Sequence, residues 1–391
     1  MTTGEARRAF EAAYDRAPEA VASAPGRVNL VGGHTDYNQG LVLPVAIDYR
    51  TAVAIAPRDD GRYRLRSTDF EGEVRVDGLP DDPLDTHDAM WANYPLGVLV
   101  ELAAADLTAE RGLDLLVAGD VPRGAGLSSS AALEVATAAA AYALDTPGEA
   151  LPRRDLAEAA WRAETGFVGL DCGIMDQYAS ALCRAGEALF LDCRSRETRG
   201  VTFDDDGLRT VVVDTRVEHE LASSAYNDRV RECEAAVARF DASLGDVTSL
   251  RDVDRDALVA HSDDLPSTLR RRARHVVTEN ERVRTAVDAL EAGDVEAVGD
   301  CMFESHASLR DDYEVSCREL DAVVELAWET SGVLGARMTG GGFGGSVVAL
   351  VEAGAVDDFR AHVDAAYAER ADTDVDPRTF VCSAAEGVSV G

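Results

Sequence analysis

Residues 122–132 have the sequence Pro-Arg-Gly-Ala-Gly-Leu-Ser-Ser-Ser-Ala-Ala, and an alanine-rich segment continues from them to Leu144. The glycines permit a tight loop, and the alanines favour a helix that begins at the serines. Because a helix N-terminus carries free backbone N–H groups and a partial positive charge, it attracts anions such as phosphate. Alternatively, Ser128–Ser130 only cap the helix. The segment therefore indicates either a phosphate site or an ordinary helix start.

The amino-acid composition excludes several common ways of binding phosphate. The 391 residues include 38 basic side chains, all of them Arg, and 72 acidic ones, which gives a net charge of −34. A chain without Lys has no Walker A motif, no protein-kinase lysine and no Schiff-base lysine. Any phosphate must then be bound by backbone amides, helix termini, Arg and metal ions.

The acidic excess and the cysteine pattern also predict which partners are excluded and where the protein is located. A chain this acidic repels nucleic acid and anionic membranes, so we expect neither as a partner. The exclusive use of Arg, together with the acidic excess, predicts adaptation to a salty cytoplasm, where salt screens charges over short distances. The seven Cys form no CxxC pair and the N-terminus has no signal-peptide pattern, which favours a cytoplasmic protein. We expect a monomer or a weak homo-oligomer.

Strand and helix patterns along the chain favour an α+β fold, because they do not alternate as in a doubly wound sheet. A strand-like segment at 40–47 is followed by two more, at 51–56 and 63–67. The last two flank Asp59-Asp60-Gly61, and this arrangement predicts a β-hairpin.

The best candidate for a domain boundary lies near residue 200. The strand-like segment 188–192 is followed by a polar stretch that ends in Asp204-Asp205-Asp206-Gly207, and a new strand begins at Leu208. The sequence therefore predicts an N-terminal domain of residues 1–200 and a C-terminal domain of residues 201–391. Helices dominate the second domain, with predicted spans of 226–240, 267–292, 295–309, 316–330 and 356–369.

A second glycine-rich loop occupies residues 340–345, Gly-Gly-Gly-Phe-Gly-Gly, and leads into the strand-like segment 346–351. Such a run is typical of a flexible surface loop, because glycine loses much conformational entropy on folding. Phe343 argues against this interpretation, since a flexible linker has no use for an aromatic anchor. Both alternatives, a flexible loop and an ordered one, stay open.

Charged residues at Arg27, His34, Asp36 and Asp176 form the third candidate feature. Asp176 follows Gly173-Ile174-Met175, apolar surroundings in which an unpaired carboxylate is costly and an Arg partner is expected. Taken singly, Asp36 is more typical of a surface group or a cap, and His34 of a structural hydrogen-bonding side chain. The spacing of the seven His indicates no metal site.

Together these segments resemble the GHMP kinase superfamily, in which a Gly-Leu-Ser-Ser-Ser-Ala-Ala loop takes the place of the P-loop. Within that superfamily the chain is similar to the galactokinase family. The similar segments are Ala24–Asn38 (APGRVNLVGGHTDYN), Trp91–Tyr94, Phe167–Gly169, Cys172–Gln177 and Glu304–Tyr313. The resemblance extends from about Ala24 to Val351.

This resemblance implies a two-domain α+β GHMP kinase fold with the active site in the interdomain cleft. It also implies ATP-dependent phosphorylation of D-galactose at the 1-hydroxyl. Asp176 matches the family's catalytic base, and Arg27 matches the arginine that holds it ionised and stabilises the moving phosphoryl group. Ser130 and Glu164 match the ligands of Mg²⁺, the one cofactor implied besides the co-substrate ATP.

The resemblance assigns the remaining positions to the two substrates. Positions that match sugar contacts are Gly33, His34, Asp36, Gly173 and Tyr226. Positions that match nucleotide contacts are Gly124, Gly126, Leu127, Ser128, Ser129, Ser130, Ala131 and Trp91. As a lone aromatic side chain, Trp91 is equally consistent with a place in the core.

One position departs from the family pattern. Gly33 stands where the family has Glu, whose carboxylate is expected to bind the sugar 6-hydroxyl. Loss of a charged hydrogen bond weakens binding by about 1.5–3 kcal/mol unless another group replaces it. Related kinases that act on galacturonate or arabinose also have a small residue there, and an Arg near the sixth carbon would discriminate between these substrates.

Three functions therefore stay open for this chain. The first is phosphorylation of galactose, and the second is the same reaction on galacturonate or arabinose. The third is a non-catalytic sensor of galactose and ATP. The complete serine loop and the presence of Asp176 count against the sensor.

Overall fold

The computed structural model describes residues 1–203, 207–218 and 222–391, so Asp204–Asp206 of the predicted boundary lie outside the described residues. Its strands are β1 (Ala20–Asn29), β2 (Leu41–Val42), β3 (Pro44–Arg58), β4 (Tyr63–Ser67), β5 (Val74–Val76), β6 (Gly112–Gly119), β7 (Glu187–Asp192), β8 (Thr198–Thr202), β9 (Leu208–Glu218), β10 (Val333–Thr339), β11 (Gly344–Glu352), β12 (Arg378–Cys382) and β13 (Ser389–Val390). Its α-helices are α1 (Thr3–Tyr14), α2 (Asn93–Ala104), α3 (Ser129–Asp145), α4 (Arg153–Arg162), α5 (Met175–Leu182), α6 (Ala222–Leu244), α7 (Arg255–His261), α8 (Ser267–Ala292), α9 (Val295–Ser308), α10 (Arg318–Glu329) and α11 (Val356–Ala371). Single π-helical turns, Ala163–Val168 and Leu309–Tyr313, continue α4 and α9.

A six-stranded sheet of order β13-β1-β3-β6-β4-β5 organises the first half of the molecule. Side chains alternate along β3, as the period of a strand requires. Ala52 and Ala54 face α1, where they pack with Phe10. Val53 and Ile55 face the opposite side, where α2, α3, α4 and α5 form a larger core with the sheet. The sheet is therefore covered by helices on both faces.

The predicted hairpin around residues 59–61 is wrong. Strand β6 lies between β3 and β4, antiparallel to the first and parallel to the second. Its Asp114 is fully buried and pairs with Arg58 of β3 at 3.0 Å and with Arg64 of β4 at 2.6 Å. Because a buried carboxylate needs such partners, it stabilises β6 between the two strands. The segments 40–47 and 51–56 also differ from expectation, since the second half of the first segment and all of the second belong to the single strand β3.

A four-stranded sheet of order β10-β11-β9-β12 organises the second half. Helices α6, α8, α10 and α11 pack against it in a second core. The sequence predicted these helices, but it did not predict β10 or β12. A third core joins the halves, because Val28 of β1 and the following Leu30 pack in one cluster with Val212 of β9 and Val348 of β11. The end of β1 therefore lies at the junction of the two sheets.

The C-terminal segment of the chain returns to the first sheet. Strand β13 pairs with β1, with Val390 opposite Ala22. Arg50 of β3 donates to the carbonyl oxygens of Glu386 and Gly387 at 2.7 and 2.8 Å. The boundary near residue 200 stays a prediction. Among the helices that the structure describes, none combines the length and the apolar character needed to cross a membrane.

Candidate active site

Two glycine-rich loops meet where the two halves adjoin. The first precedes α3, and the second joins β10 to β11. Gly126 has a φ of +69°, and a Cβ there would lie 3.1 Å from the carbonyl oxygen of Thr339 and close to Gly340. The Ser346 hydroxyl donates to the Ala125 carbonyl oxygen at 2.6 Å. The second loop is therefore ordered against the first, and the flexible alternative is wrong.

Arg27 on β1 and Asp176 in the first turn of α5 form a bidentate ion pair. Arg27 Nε and Nη2 donate to the two carboxylate oxygens at 2.7 and 2.6 Å, and Nη1 donates to the Gly126 carbonyl oxygen at 2.7 Å. Arg27 is only 4% exposed. Charge-assisted pairs of this geometry are strong and directional. Arg27 is thus the partner that the apolar surroundings of Asp176 predicted.

Ser128 adds a further contact to the same carboxylate. It precedes α3 in a left-handed conformation, with φ +58°, and its side chain does not cap the helix. Instead, its hydroxyl donates to Asp176 Oδ2. For Ser128, the alternative of a purely capping role is therefore wrong.

A cavity of about 160 Å³ opens beside the Arg27–Asp176 pair. We call it the sugar cavity, after the sugar contacts that the family resemblance assigns to its residues. Its lining includes every residue that the sequence assigned to catalysis or to the sugar: Arg27, Gly33, His34, Asp36, Gly173, Asp176 and Tyr226. Segments from both halves of the chain thus bring these residues to one place.

His34 contributes a neutral ring to the sugar cavity. Its Nδ1 lies 2.9 Å from the Tyr37 hydroxyl, which in turn lies 2.7 Å from that of Tyr313. Its buried Nε2 has no hydrogen-bond partner among the described residues. Burial, with the nearby His275 as a lesser cause, lowers the pKa of His34 to about 3. The ring can therefore offer a polar nitrogen to a ligand without adding charge.

Asp36 also lines this cavity, at the start of a short 3₁₀ helix. Burial and, second, the charge of Asp176 raise the pKa of Asp36 to about 6. Ligand hydroxyls that donate to Asp36 would favour its charged form.

Arg337 on β10 is a cavity residue that the sequence analysis missed. It is 1% exposed, and its Nη1 donates to the Asn29 carbonyl oxygen at 3.0 Å. Its Nε has no partner among the described residues. Burial lowers the pKa of Arg337 to about 10, which leaves it cationic at neutral pH. Its place immediately before the 340–345 loop is the sequence signal that could have identified it.

Two buried residues of α8 hold the loop that carries Gly33. Glu279 Oε1 accepts hydrogen bonds from the N–H groups of Gly32 and Gly33 at 2.8 and 3.1 Å. His275 Nε2 lies 2.9 Å from the Gly33 carbonyl oxygen. Nearby cationic groups, Arg282 first, lower the pKa of Glu279 despite its complete burial. No local sequence signal marks Glu279, which is one of 72 acidic residues.

A second cavity, of about 170 Å³, lies on the other side of the serine loop. We call it the nucleotide cavity, after the nucleotide contacts that the family resemblance assigns to some of its residues. Ser129 and Ser130 at the start of α3 line it, together with Trp91. The Trp91 ring is parallel to that of Phe70, with centroids 5.7 Å apart, and the Arg123 guanidinium lies 4.5 Å from the Phe70 centroid. The remaining nucleotide candidates, Gly124, Gly126, Leu127, Ser128 and Ala131, form the adjoining loop and the first turn of α3, where the Leu127 side chain is in the core.

Glu164 lies behind the serine loop in the π-helical turn that follows α4. It is 6% exposed and accepts from the Gln177 amide at 2.6 Å, and the same amide contacts Glu134 at 2.9 Å. Burial and the charge of Asp176 raise the pKa of Glu164, and hydrogen bonds from Cys172, then Gln177 and then Ser130, oppose this shift. A buried carboxylate beside a hydroxyl suits a hard cation such as Mg²⁺, which would relieve the accumulated negative charge. Within the described part of the chain no three His, Cys, Asp or Glu side chains cluster for a metal ion.

Comparison with known proteins identifies the family. The galactokinase galactose-binding signature matches residues 8–57, and the N-terminal and C-terminal GHMP kinase models match residues 93–184 and 286–369. A galactokinase of Chloroflexus aggregans is 49% identical and covers 97% of this chain and 96% of its own length. The chain belongs to the galactokinase family. The human galactokinase is 45% identical and covers 99% of this chain and 96% of its own length.

Solved structures agree with this membership of the galactokinase family. The crystal structure of Lactococcus lactis galactokinase complexed with galactose has a TM-score of 0.91, at 34% identity, and covers 99% of both chains. A mevalonate kinase structure has a TM-score of 0.63 at 18% identity, covers 93% of this chain and 98% of its own, and shows the fold alone. The chain therefore has the two-domain α+β GHMP kinase fold that the sequence predicted, whereas the roles of its site residues stay predictions.

Proposed function

We propose that this chain transfers the γ-phosphoryl group of ATP to the 1-hydroxyl of D-galactose and releases α-D-galactose 1-phosphate and ADP. The main support is that the Arg27–Asp176 pair lines one cavity and contacts, through Asp176, the serine loop that lines the other. Ser128 contacts Asp176 in the sugar cavity, while Ser129 and Ser130, the next residues, line the nucleotide cavity. Donor and acceptor of a phosphoryl group would thus meet across the serine loop.

In this proposal Asp176 accepts the proton of the sugar 1-hydroxyl as that oxygen attacks phosphorus. Arg27 fixes the direction of the carboxylate by its bidentate pair and adds positive charge next to the transferred group. Phosphoryl transfer depends mainly on such positioning and charge stabilisation. His34, Asp36, Gly173 and Tyr226 hold the sugar, and Gly33 lies beside them.

The start of α3 would bind the phosphates of ATP through its free backbone N–H groups, and Trp91 would lie near adenine. Ser130 and Glu164 would hold Mg²⁺, which neutralises charge on the phosphate oxygens when it is bound. We further propose that the protein is a cytoplasmic monomer or weak homo-oligomer that works at high salt, because its net charge of −34 needs screening.

The test is release of ADP from Mg²⁺-ATP in molar KCl with galactose, glucose or arabinose as acceptor. We expect turnover with galactose well above the rate without sugar, and a much lower rate with glucose. Calorimetric titration of galactose and ATP accompanies the assay. Binding of both ligands without ADP release would identify a sensor and overturn the proposal.

A further inference from the structure

We propose that Arg337 binds a carboxylate on the sugar, so that the same active site also phosphorylates D-galacturonate at its 1-hydroxyl. The inference rests on the proposed function, because it uses the same base and the same donor. It adds an anionic sugar as a second acceptor of the phosphoryl group and names Arg337 as the residue that selects this sugar.

The first observation is that Arg337 is a buried cation with an incomplete set of partners. Among the described residues, no carboxylate oxygen lies within 4 Å of its guanidinium, and Asn29 supplies its only described acceptor. By contrast, the other guanidinium in the cavity, that of Arg27, pairs with both oxygens of Asp176. A desolvated guanidinium is stabilised by an anion that accepts two of its hydrogen bonds, so the site favours a ligand that carries a carboxylate.

The second observation is that Gly33 leaves Arg337 open to the cavity. A Cβ at position 33 would collide with Arg337 Nη2, so any side chain there would displace or cover this part of the guanidinium. The nearest acidic side chain of this region, Glu279, is already occupied by the N–H groups of Gly32 and Gly33 and by Arg282. Arg337 Nη2 has no acceptor among the described residues and is therefore available to a ligand.

The chemistry of the reaction narrows the class of that ligand. The acceptor must keep a hydroxyl at carbon 1 for Asp176 and must carry a carboxylate for Arg337. An aldonic acid has its carboxylate at carbon 1 and no hydroxyl to phosphorylate there, whereas a uronic acid has its carboxylate at carbon 6 and retains the 1-hydroxyl. The galactose configuration then gives galacturonate.

The bonds that form and break with galacturonate are the same as with galactose. The oxygen on carbon 1 forms a bond to the γ-phosphorus, the bond from that phosphorus to the bridging oxygen of ADP breaks, and the proton passes to Asp176. The carboxylate at carbon 6 is unchanged and serves only for binding.

The test compares kcat/KM for galactose, galacturonate and the neutral methyl ester of galacturonate in wild-type protein, with a blank that contains no sugar. We expect turnover of galacturonate and at least a tenfold lower kcat/KM for the methyl ester. ADP release with galactose but not with galacturonate would overturn this inference alone. Failure with galactose as well as galacturonate would overturn the proposed function.

Two variants assign the effect to Arg337. Arg337→Gln should lower kcat/KM for galacturonate by about 10- to 100-fold more than for galactose, because a hydrogen-bonded charge pair is lost. Gly33→Glu places a carboxylate beside the guanidinium at a position without a positive φ, and it should reduce the galacturonate-to-galactose ratio at least tenfold. It serves as the deciding variant if Arg337→Gln does not fold. Arg255→Gln, which removes an exposed arginine paired with Glu281, is the matched control for loss of one charge. Equal effects on both sugars in the folded variants would overturn the proposal.

Discussion

The Ser128 hydroxyl donates its hydrogen bond to Asp176 and not to the N-terminus of the helix that Ser128 precedes. The loop that adjoins the nucleotide cavity is thereby joined to the carboxylate of the sugar cavity. A substitution on either side of this contact should change the rate of the chemical step.

Ser128→Ala should lower kcat about tenfold or more, because a hydrogen bond to a charged group contributes about 1.5–3 kcal/mol. The KM for ATP should change little. Ser129→Ala, one residue later and in the nucleotide cavity, should instead raise the KM for ATP. Steady-state kinetics on the two variants separates these effects, and identical kinetic profiles would contradict the division between the cavities.

Asp176→Asn should abolish most turnover while it retains ligand binding. An amide cannot accept the proton, so we expect kcat to fall by about 10²- to 10⁴-fold. Calorimetry should show sugar and nucleotide affinities within a few-fold of wild type. The neighbouring exposed Asp171→Asn is the matched control and should leave kcat unchanged. A kcat for Asp176→Asn near the wild-type value would show that the carboxylate is not the base.

Asp36 should make the ligand-free protein less stable as the pH rises. Its pKa is raised from 3.8 to about 6, so the folded state binds the proton more tightly than the unfolded state. The stabilisation is complete below about pH 4 and is lost as the pH rises through about 6. Asp36→Asn should therefore gain up to about 3 kcal/mol of unfolding free energy over wild type between pH 4 and pH 7.

Urea unfolding of both proteins in molar KCl, at several pH values, measures this difference. Asp171→Asn should show a difference from wild type that does not vary with pH. An Asp36→Asn difference that is constant over the same range would show that Asp36 does not titrate there.

Trp91→Ala should weaken ATP binding, because stacking on an aromatic ring contributes about 1–3 kcal/mol per base. We expect the KM for ATP to rise about tenfold, with little change in the KM for the sugar. Trp91→Phe should also remove most of the fluorescence change on titration with ATP. Trp328→Phe, at an exposed position far along the chain, should retain that change. The reverse result would place adenine elsewhere.

Removal of salt should unfold the protein. At about 0.1 M ionic strength the screening length is about 10 Å, so acidic groups on neighbouring surface segments repel one another. Circular dichroism in 2 M and 0.1 M KCl should show a large fall in melting temperature at the lower concentration. Equal melting temperatures would contradict the predicted adaptation to salt.

Local sequence patterns predicted most of the helices, because their period needs only neighbouring residues. The helices expected at 267–292 and 356–369 correspond to α8 and α11. Phe343 also correctly indicated an ordered loop, since its N–H donates to the Val315 carbonyl oxygen at 2.8 Å and its ring packs at the edge of the second core. The sequence therefore identified those residues that lie in a motif continuous along the chain.

Contacts between distant segments could not be predicted in the same way. Strand order in the first sheet depends on Asp114, whose partners Arg58 and Arg64 are about fifty residues earlier in the chain. Arg337 gains its importance only from the absence of a side chain at Gly33, about three hundred residues away. Neither relationship produces a local pattern, so the sequence singled out neither Asp114 nor Arg337.

The hydrogen bonds that the N–H groups of Gly32 and Gly33 donate to Glu279 should slow the hydrogen–deuterium exchange of these two amides. Both amide protons are buried under α8, so they exchange only when this helix separates from the loop. Their exchange should follow the slow, sub-global openings of α8 and not the fast fraying of a surface turn. The loop that carries Gly33 therefore unfolds cooperatively with α8, a helix of the second half. Exchange of the Gly32 and Gly33 amides thus measures how often the two halves separate.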